Sequence, residues 1–91
     1  MDAGAIQDHI EYLQFELARP LLVMKAPNGI LGCGYINVET CNKTGEACAI
    51  VIGVNSFEDM KRAKVVSVSS KAAELGVAVG ETGASALDKL R

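Results

Sequence analysis

A tight-turn dipeptide, Asn28-Gly29, lies between two apolar segments and constrains the fold more than any other feature of the chain. Asn-Gly between apolar runs is the strongest short-range signal of a β-hairpin, because both residues readily take the positive φ angles of a two-residue turn. The flanking segments, Leu21–Ala26 and Ile30–Ile36, are therefore predicted to be antiparallel strands.

A two-residue turn also sets which residues face each other, and it divides the hairpin into two faces. One face is apolar, and the other is locally bare because Gly32 and Gly34 carry no side chains. Packing of a helix or of a second subunit on the bare face is the favoured explanation, and space for a ligand is the alternative. The predicted pairs are Ala26 with Leu31, Met24 with Cys33 and Leu22 with Tyr35 on the apolar face, and Lys25 with Gly32, Val23 with Gly34 and Leu21 with Ile36 on the other.

Turn and capping residues divide the rest of the chain into short strands and helices. Residues 9–17 have apolar residues at both helical and alternating spacing, and we interpret them as a strand. The apolar run Ala47–Ile52 is typical of a strand that is covered on both faces. The first predicted elements are a strand at 9–17, the hairpin, a helix from Asn37 through Asn42 that Gly45 closes, and the strand at 47–52. A helix that Ser56 caps and a strand at 64–69, with Val66 and Val68 on one face, are predicted next. The chain is predicted to end with a helix from Ser69 or Ser70 to Gly76 and a last helix after Gly83.

These elements predict a small α/β domain, with α+β as the other possibility, in which three to four short helices accompany a mixed sheet. Residues 1–91 are expected to form one domain. Residues 9–36 would be its antiparallel N-terminal β region and residues 37–91 its α/β portion. Whether the strand at 64–69 pairs parallel or antiparallel stays open, because its connection is near the minimum for a parallel crossover.

Charge and composition exclude several classes of function. A formal net charge of −2 and a pI of about 5.3 leave no basic footprint for nucleic acid. No apolar run reaches the roughly 18–20 residues of a membrane helix. The N-terminus lacks the pattern of a signal peptide, so a cytoplasmic protein that does not contact membranes is expected.

The spacings of the cysteines match no zinc pattern and His9 is the single histidine, so a classical zinc site is not expected. The chain has three cysteines, Cys33, Cys41 and Cys48, and this odd count argues against a disulfide scaffold and for a reducing compartment. No metal and no cofactor are expected.

Almost half of the chain, 49%, is apolar, and a chain of 91 residues cannot cover that many apolar side chains by itself. Self-association is therefore expected.

Several short motifs cover about residues 20–90: Leu21–Ala26, Gly29, Cys33–Ile36, Ala49–Val54, Phe57–Met60, Ala73, Leu75-Gly76, Val79-Gly80, Thr82-Gly83 and Ala86-Leu87. In these motifs the chain resembles the YunC-like domain-of-unknown-function family of bacteria and archaea. The resemblance implies a small α/β domain whose N-terminal β region builds a tetramer. It implies no established activity, so no functional residues are transferred to this chain.

Cys33 is the candidate for nucleophilic or redox chemistry, with Tyr35 or His9 as its partner. A reactive thiol needs a nearby cation, imidazole or helix N-terminus, whereas the predicted register surrounds Cys33 with apolar residues. A small buried hydrophobic residue is the stronger interpretation. A ligand at this hairpin would lie over Gly32 and Gly34, with Cys33 behind the sheet.

The turn Gly53-Val54-Asn55-Ser56 follows a predicted buried strand and opens a helix. Ligands of α/β sheets collect at the carboxyl ends of strands, so Gly53, Asn55 and Ser56 are candidates for an anion or nucleotide site. Helix capping explains the same residues and is favoured. The loop Gly80–Ser85 resembles a phosphate loop only loosely and lacks its lysine.

The leading hypothesis is a non-enzymatic, self-associating module that presents a small-molecule or protein site. The alternatives are a cysteine-dependent enzyme or redox protein that uses Cys33, and an anion- or nucleotide-binding module at residues 53–56.

Overall fold

The computed structural model describes residues 10–91, which form a mixed sheet of five strands and four helices, an α+β fold. The predicted order of elements is confirmed. His9 and the start of the strand predicted at 9–17 lie outside the described residues. The strands are β1 (Glu11–Phe15), β2 (Leu21–Ala26), β3 (Gly29–Gly32), β4 (Cys48–Ile50) and β5 (Ser67–Val68), and the helices are α1 (Val38–Thr44), α2 (Phe57–Arg62), α3 (Ser70–Glu74) and α4 (Gly83–Leu90).

The strands follow the order β1-β2-β3-β4-β5 across the sheet. β1, β2 and β3 pair antiparallel, as the predicted N-terminal β region requires. β3 and β4 pair parallel, and α1 lies in the crossover between them. β5 returns antiparallel to β4, which answers the question that the sequence left open for residues 64–69.

The hairpin turn lies one residue earlier than predicted. Ala26 pairs with Gly29, so Pro27 and Asn28 form the two-residue loop. The predicted pairs are therefore wrong by two positions, and Met24 faces Leu31 instead of Cys33. The two faces survive the error, because a shift of two residues returns each side chain to the same side of a strand.

Tertiary contacts explain why the Asn-Gly turn does not form. Neither Asn28 nor Gly29 has a positive φ. A Cβ at Gly29 would lie 2.6 Å from the carbonyl oxygen of Ala47, so the glycine serves close packing of β3 on the neighbouring chain segment. The N–H of Asn28 donates to the carbonyl oxygen of Leu90 at 2.8 Å, which ties the turn to the end of α4.

One face of the sheet carries the hydrophobic core. Leu22, Met24 and Leu31 point to this face and are completely buried. They belong to one cluster with Met60 of α2 and Leu90 of α4. Burial of side chains of this size contributes about 1.5–3 kcal/mol each, so this cluster is the main source of stability.

The strand predicted from the apolar run at 47–52 is confirmed in part. Residues 47–51 are buried, as expected for a strand covered on both faces, but Ile52 is exposed. The strand itself is shorter than predicted. Val66, which was predicted to share a face with Val68, is also exposed and lies outside β5.

The predicted caps Asn37, Ser56 and Ser69 and the predicted terminator Gly45 are confirmed, and Thr82 caps the last helix as well. The Asn37 side chain accepts from the N–H of Glu39 at 2.7 Å, and Gly45 ends α1 with a φ of 78°. Ser56, Ser69 and Thr82 each accept a backbone N–H three residues later, at the starts of α2, α3 and α4.

A disulfide joins Cys41 of α1 to Cys48 of β4, with a Cα–Cα distance of 6.3 Å. The expectation of no disulfide was therefore wrong. The odd count predicts only that one cysteine is left over, and that residue is Cys33. The pairing follows from the crossover, which lays α1 against β4.

Reduction of the disulfide is expected to destabilise the protein by about 2 kcal/mol, because the bond closes a short loop in the unfolded chain. The measurement compares urea unfolding of the oxidised and reduced protein, with oxidation verified by intact mass. A double variant, Cys41→Ala with Cys48→Ala, is the control and should not respond to reductant. Equal unfolding midpoints for verified oxidised and reduced wild type would contradict the prediction.

Candidate functional site

A cleft of about 250 Å³ lies where the parallel strands β3 and β4 end. The carboxyl ends of neighbouring parallel strands open at the same edge of a sheet, which is where ligands of such sheets bind. Three chain segments form its walls, namely the turn after β3, the turn after β4 and the residues that lead into β2. The lining residues are Arg19, Pro20, Cys33, Gly34, Tyr35, Ile52, Gly53 and Val54.

Gly32 does not reach the cleft, because the chain folds back over it directly after β3. The N–H of Ile36 donates to the carbonyl oxygen of Cys33 at 3.0 Å and closes a turn. This turn places the Ile36 side chain on Gly32, where a Cβ would lie 2.6 Å from Ile36 Cγ1. The bare face is thus covered at Gly32 by the same chain, and neither a helix nor a second subunit is needed there.

Gly34 and Tyr35 leave the strand in the same turn. Tyr35 is 48% exposed and does not join the apolar face that the predicted register assigned to it. Its hydroxyl instead accepts from the backbone N–H of Arg19 at 3.4 Å, across the mouth of the cleft. Gly34 is exposed, and a Cβ there would lie 3.4 Å from Ile52 Cγ2, an ordinary contact.

Cys33 lies among the cleft residues with Gly34, and not behind the sheet as expected. Only 4% of the residue is exposed. The N–H of Leu22 donates to Sγ at 3.3 Å, and Sγ lies 4.0 Å from the carbonyl oxygen of Pro20. Within residues 10–91, Sγ thus has backbone partners and no hydrogen bond to an acidic, basic or hydroxyl side chain, which favours the buried structural interpretation. A cysteine-dependent activity with His9 stays a prediction, because His9 is not among these residues.

Gly53 belongs to the cleft, but Asn55 and Ser56 serve the cap of α2. The carboxylate of Asp59 accepts from the N–H of Asn55 at 3.1 Å, and Ser56 Oγ accepts from the N–H of Asp59 at 3.1 Å. The Asn55 N–H and the Arg62 guanidinium lower the pKa of Asp59. A carboxylate of the protein therefore already occupies the N-terminus of this helix, and the geometry favours capping over an external anion.

The loop before α4 is likewise engaged with its own residues. Glu81 accepts from Ser85 Oγ and from the N–H of Ala78, and its carboxylate pairs with Lys89 at 3.0 Å. The hydrogen bond from Ser85, followed by that from Ala78, lowers the pKa of Glu81. An anionic side chain at the centre of this loop does not fit a phosphate loop.

The structure thus brings Cys33, Gly34 and Gly53 together and leaves Gly32, Asn55 and Ser56 outside the cleft. Sequence reasoning missed Arg19 and Pro20. They precede β2 by one or two residues and reach the cleft only because β2 pairs antiparallel with β3. No local pattern in the sequence indicates that pairing partner for them.

The described part of the chain contains neither a membrane-spanning helix nor a group of metal ligands. Every helix there is too short to cross a lipid bilayer. Within the same residues, no three histidine, cysteine, aspartate or glutamate side chains are grouped as metal ligands would be.

Comparison with known proteins gives a family and a fold. The model of a domain of unknown function (DUF1805) matches residues 32–90, which include Cys33, Gly34 and Gly53. A protein of unknown function, TA1206 from Thermoplasma acidophilum, has a similar structure with a TM-score of 0.78. Its sequence is 32% identical, over 91% of this chain and 94% of that chain. No curated protein matches the chain. The resemblance identified in the sequence is confirmed, and the chain belongs to the DUF1805 family of domains of unknown function.

Proposed function

We propose that the protein is a self-associating module in which copies pack through the open face of the N-terminal β region. The open face is defined as the side of β1 and β2 opposite the core, with Leu13, Phe15, Leu21 and Val23. Leu13 and Phe15 are 46% and 55% exposed, and Leu21 and Val23 are partly exposed.

The arrangement of the two faces supports this proposal. An antiparallel sheet that has one face on the core normally presents polar residues to water on the other. Here the pairs Leu13–Val23 and Phe15–Leu21 place apolar side chains next to each other on the outer face. A continuous apolar surface of this kind is typical of an interface.

Parts of the outer face beyond β2 are already covered. The disulfide holds α1 against β4, and Ile36 covers Gly32 of β3. Exposure is greatest at β1, where every residue is exposed. β1 is also an edge strand and leaves one row of backbone groups unpaired within the described sheet.

A second copy of this chain is the occupant that fits the open face best. Glu11 and Lys25 lie opposite each other on the same side of the sheet as Leu13. The surface thus carries both signs of charge beside one apolar patch, which makes it complementary to itself. The tetramer that the family resemblance implies would use the same region.

The test is the mass of the protein in solution at micromolar concentration. We expect a multiple of the 9.6 kDa chain mass. Replacing Leu13 and Phe15 by glutamate should weaken association at least about a hundredfold, because two large apolar contacts are lost and charges are placed in the interface.

Val79→Glu is the matched control, because Val79 is 60% exposed but lies in the loop before α4. This variant should keep the mass of the wild type. A wild type that is a 9.6 kDa monomer would contradict the proposal. Equal dissociation of the control and the sheet variant would contradict it as well.

A further inference from the structure

We propose that the cleft between the turns after β3 and β4 binds a small organic monocarboxylate, with Arg19 as the partner of the carboxylate. This inference does not depend on the proposed self-association, because all the residues that line the cleft belong to one chain.

The positive charge of Arg19 favours an anionic ligand in the cleft. Arg19 is the one charged residue among those that line the cleft, in a chain whose net charge is −2. The other described arginines, Arg62 and Arg91, pair with Asp59 and Asp88, whereas no carboxylate among residues 10–91 pairs with Arg19. An arginine that lines a cleft without an acidic partner is suited to an external anion.

Residues with free backbone donors line the same cleft as Arg19. Within residues 10–91, the N–H groups of Gly34, Gly53 and Val54 donate no hydrogen bond to an acceptor of the protein. Amides of this kind are complementary to carboxylate oxygens.

The remaining lining limits the ligand to one with an apolar body. Pro20, Ile52, Val54 and the buried Cys33 form most of the walls, with the Tyr35 ring at the mouth. One arginine fork matches one carboxylate in bidentate geometry, whereas inorganic phosphate has no apolar body to place against these walls.

Size favours a small ligand. A volume of about 250 Å³ is below the usual range for drug-sized ligands, so the cleft suits a compact acid better than a nucleotide. The chemical class is therefore a monocarboxylic acid with a short aliphatic chain or a single ring.

Titration of the isotope-labelled protein with benzoate, followed by amide NMR, tests the inference. Benzoate should shift the Gly34 and Gly53 resonances in a saturable manner at millimolar concentration. Benzamide has the same shape without the charge and should bind at least about tenfold more weakly, because it loses a charge-assisted contact. Inorganic phosphate should not saturate these resonances.

Variants separate the cleft from a general effect of charge. Arg19→Gln should weaken benzoate binding at least about tenfold, since it removes the same contact. Arg62→Gln removes an equal charge from α2 and should leave the affinity unchanged. Gly34→Leu should fill the cleft and abolish binding, with the remaining amide spectrum as the control for folding.

The outcomes are decisive in both directions. Saturable shifts that Arg19→Gln weakens and Arg62→Gln does not would support the site. Three results would overturn it: no saturable shift with benzoate, equal binding of benzoate and benzamide, or equal effects of the two arginine variants. The solution mass of each variant is recorded separately, so failure of the ligand site does not count against self-association.

Discussion

Replacing Gly83 by alanine is expected to destabilise the protein by about 3 kcal/mol, at the upper end of the range for overpacking. The added Cβ would collide with the carbonyl oxygen of Met60 and would lie 3.0 Å from its carbonyl carbon. The N–H of Gly83 also donates to the carbonyl oxygen of Ala63 at 2.8 Å, so α4 cannot move away without losing this bond. Urea unfolding followed by circular dichroism measures the change.

Intrinsic helix propensity predicts that Gly83→Ala stabilises the protein, so the sign of the change in the free energy of unfolding distinguishes the two effects. Gly83 opens α4, and alanine is the better helix former by about 1 kcal/mol. Gly34→Ala is the control, because its Cβ would meet only Ile52 at 3.4 Å and its φ is not positive. The control should stay within about 0.5 kcal/mol of the wild type. A Gly83→Ala variant as stable as the control would refute the close approach of α2 and α4.

Replacing Ser69 by alanine should destabilise the protein by about 2–4 kcal/mol, because several buried backbone groups lose their partner together. The Ser69 hydroxyl accepts from the N–H of Cys48 at 2.8 Å and from the N–H of Ala72 at 3.3 Å. It also donates to the carbonyl oxygen of Glu46 at 2.8 Å. Ser69 is completely buried, so water cannot replace these bonds.

Thr82→Ala is the matched control, because Thr82 has the same capping role at the start of α4 but is exposed. Loss of an exposed cap should change the free energy of unfolding by about 1 kcal/mol. Equal destabilisation by the two substitutions, measured by urea unfolding, would show that Ser69 acts only as a cap and does not tie β4 to α3.

The helix boundaries could be predicted because their signals are local. Asn37, Ser56 and Ser69 each accept a backbone N–H two or three residues away, and Gly45 ends its helix through its own φ. Such bonds depend on a few neighbouring residues, which a sequence displays directly.

The hairpin shows where local signals fail. Asn28-Gly29 has the right composition for the predicted turn, yet the bond from Asn28 to Leu90 and the approach of Ala47 to Gly29 move the turn by one residue. Leu90 and Ala47 are distant from the turn in sequence, so the residues around Asn28 and Gly29 do not indicate these contacts. The two faces were still correct within β2 and β3, because apolar alternation depends only on the period of the strand. Tyr35 lies beyond the end of β3 and does not follow this alternation.

The candidate site was predictable only where local residues mark it. The glycines indicated the turn at Gly53 and singled out Gly34, which was expected inside a strand, and the structure places Cys33, Gly34 and Gly53 in one cleft. Arg19 joins them through the pairing of β2 with β3, which no residue near Arg19 indicates.

By itself, the sequence determined the order of the elements, the helix caps and the division of the hairpin into two faces, since short-range hydrogen bonds and side-chain periodicity specify each of them. Tertiary structure alone decided the hairpin register, the disulfide between Cys41 and Cys48 and the cleft beside Arg19. Each of these joins segments that meet only when the sheet has assembled around its core, and the positions of such contacts depend on packing rather than on neighbouring residues.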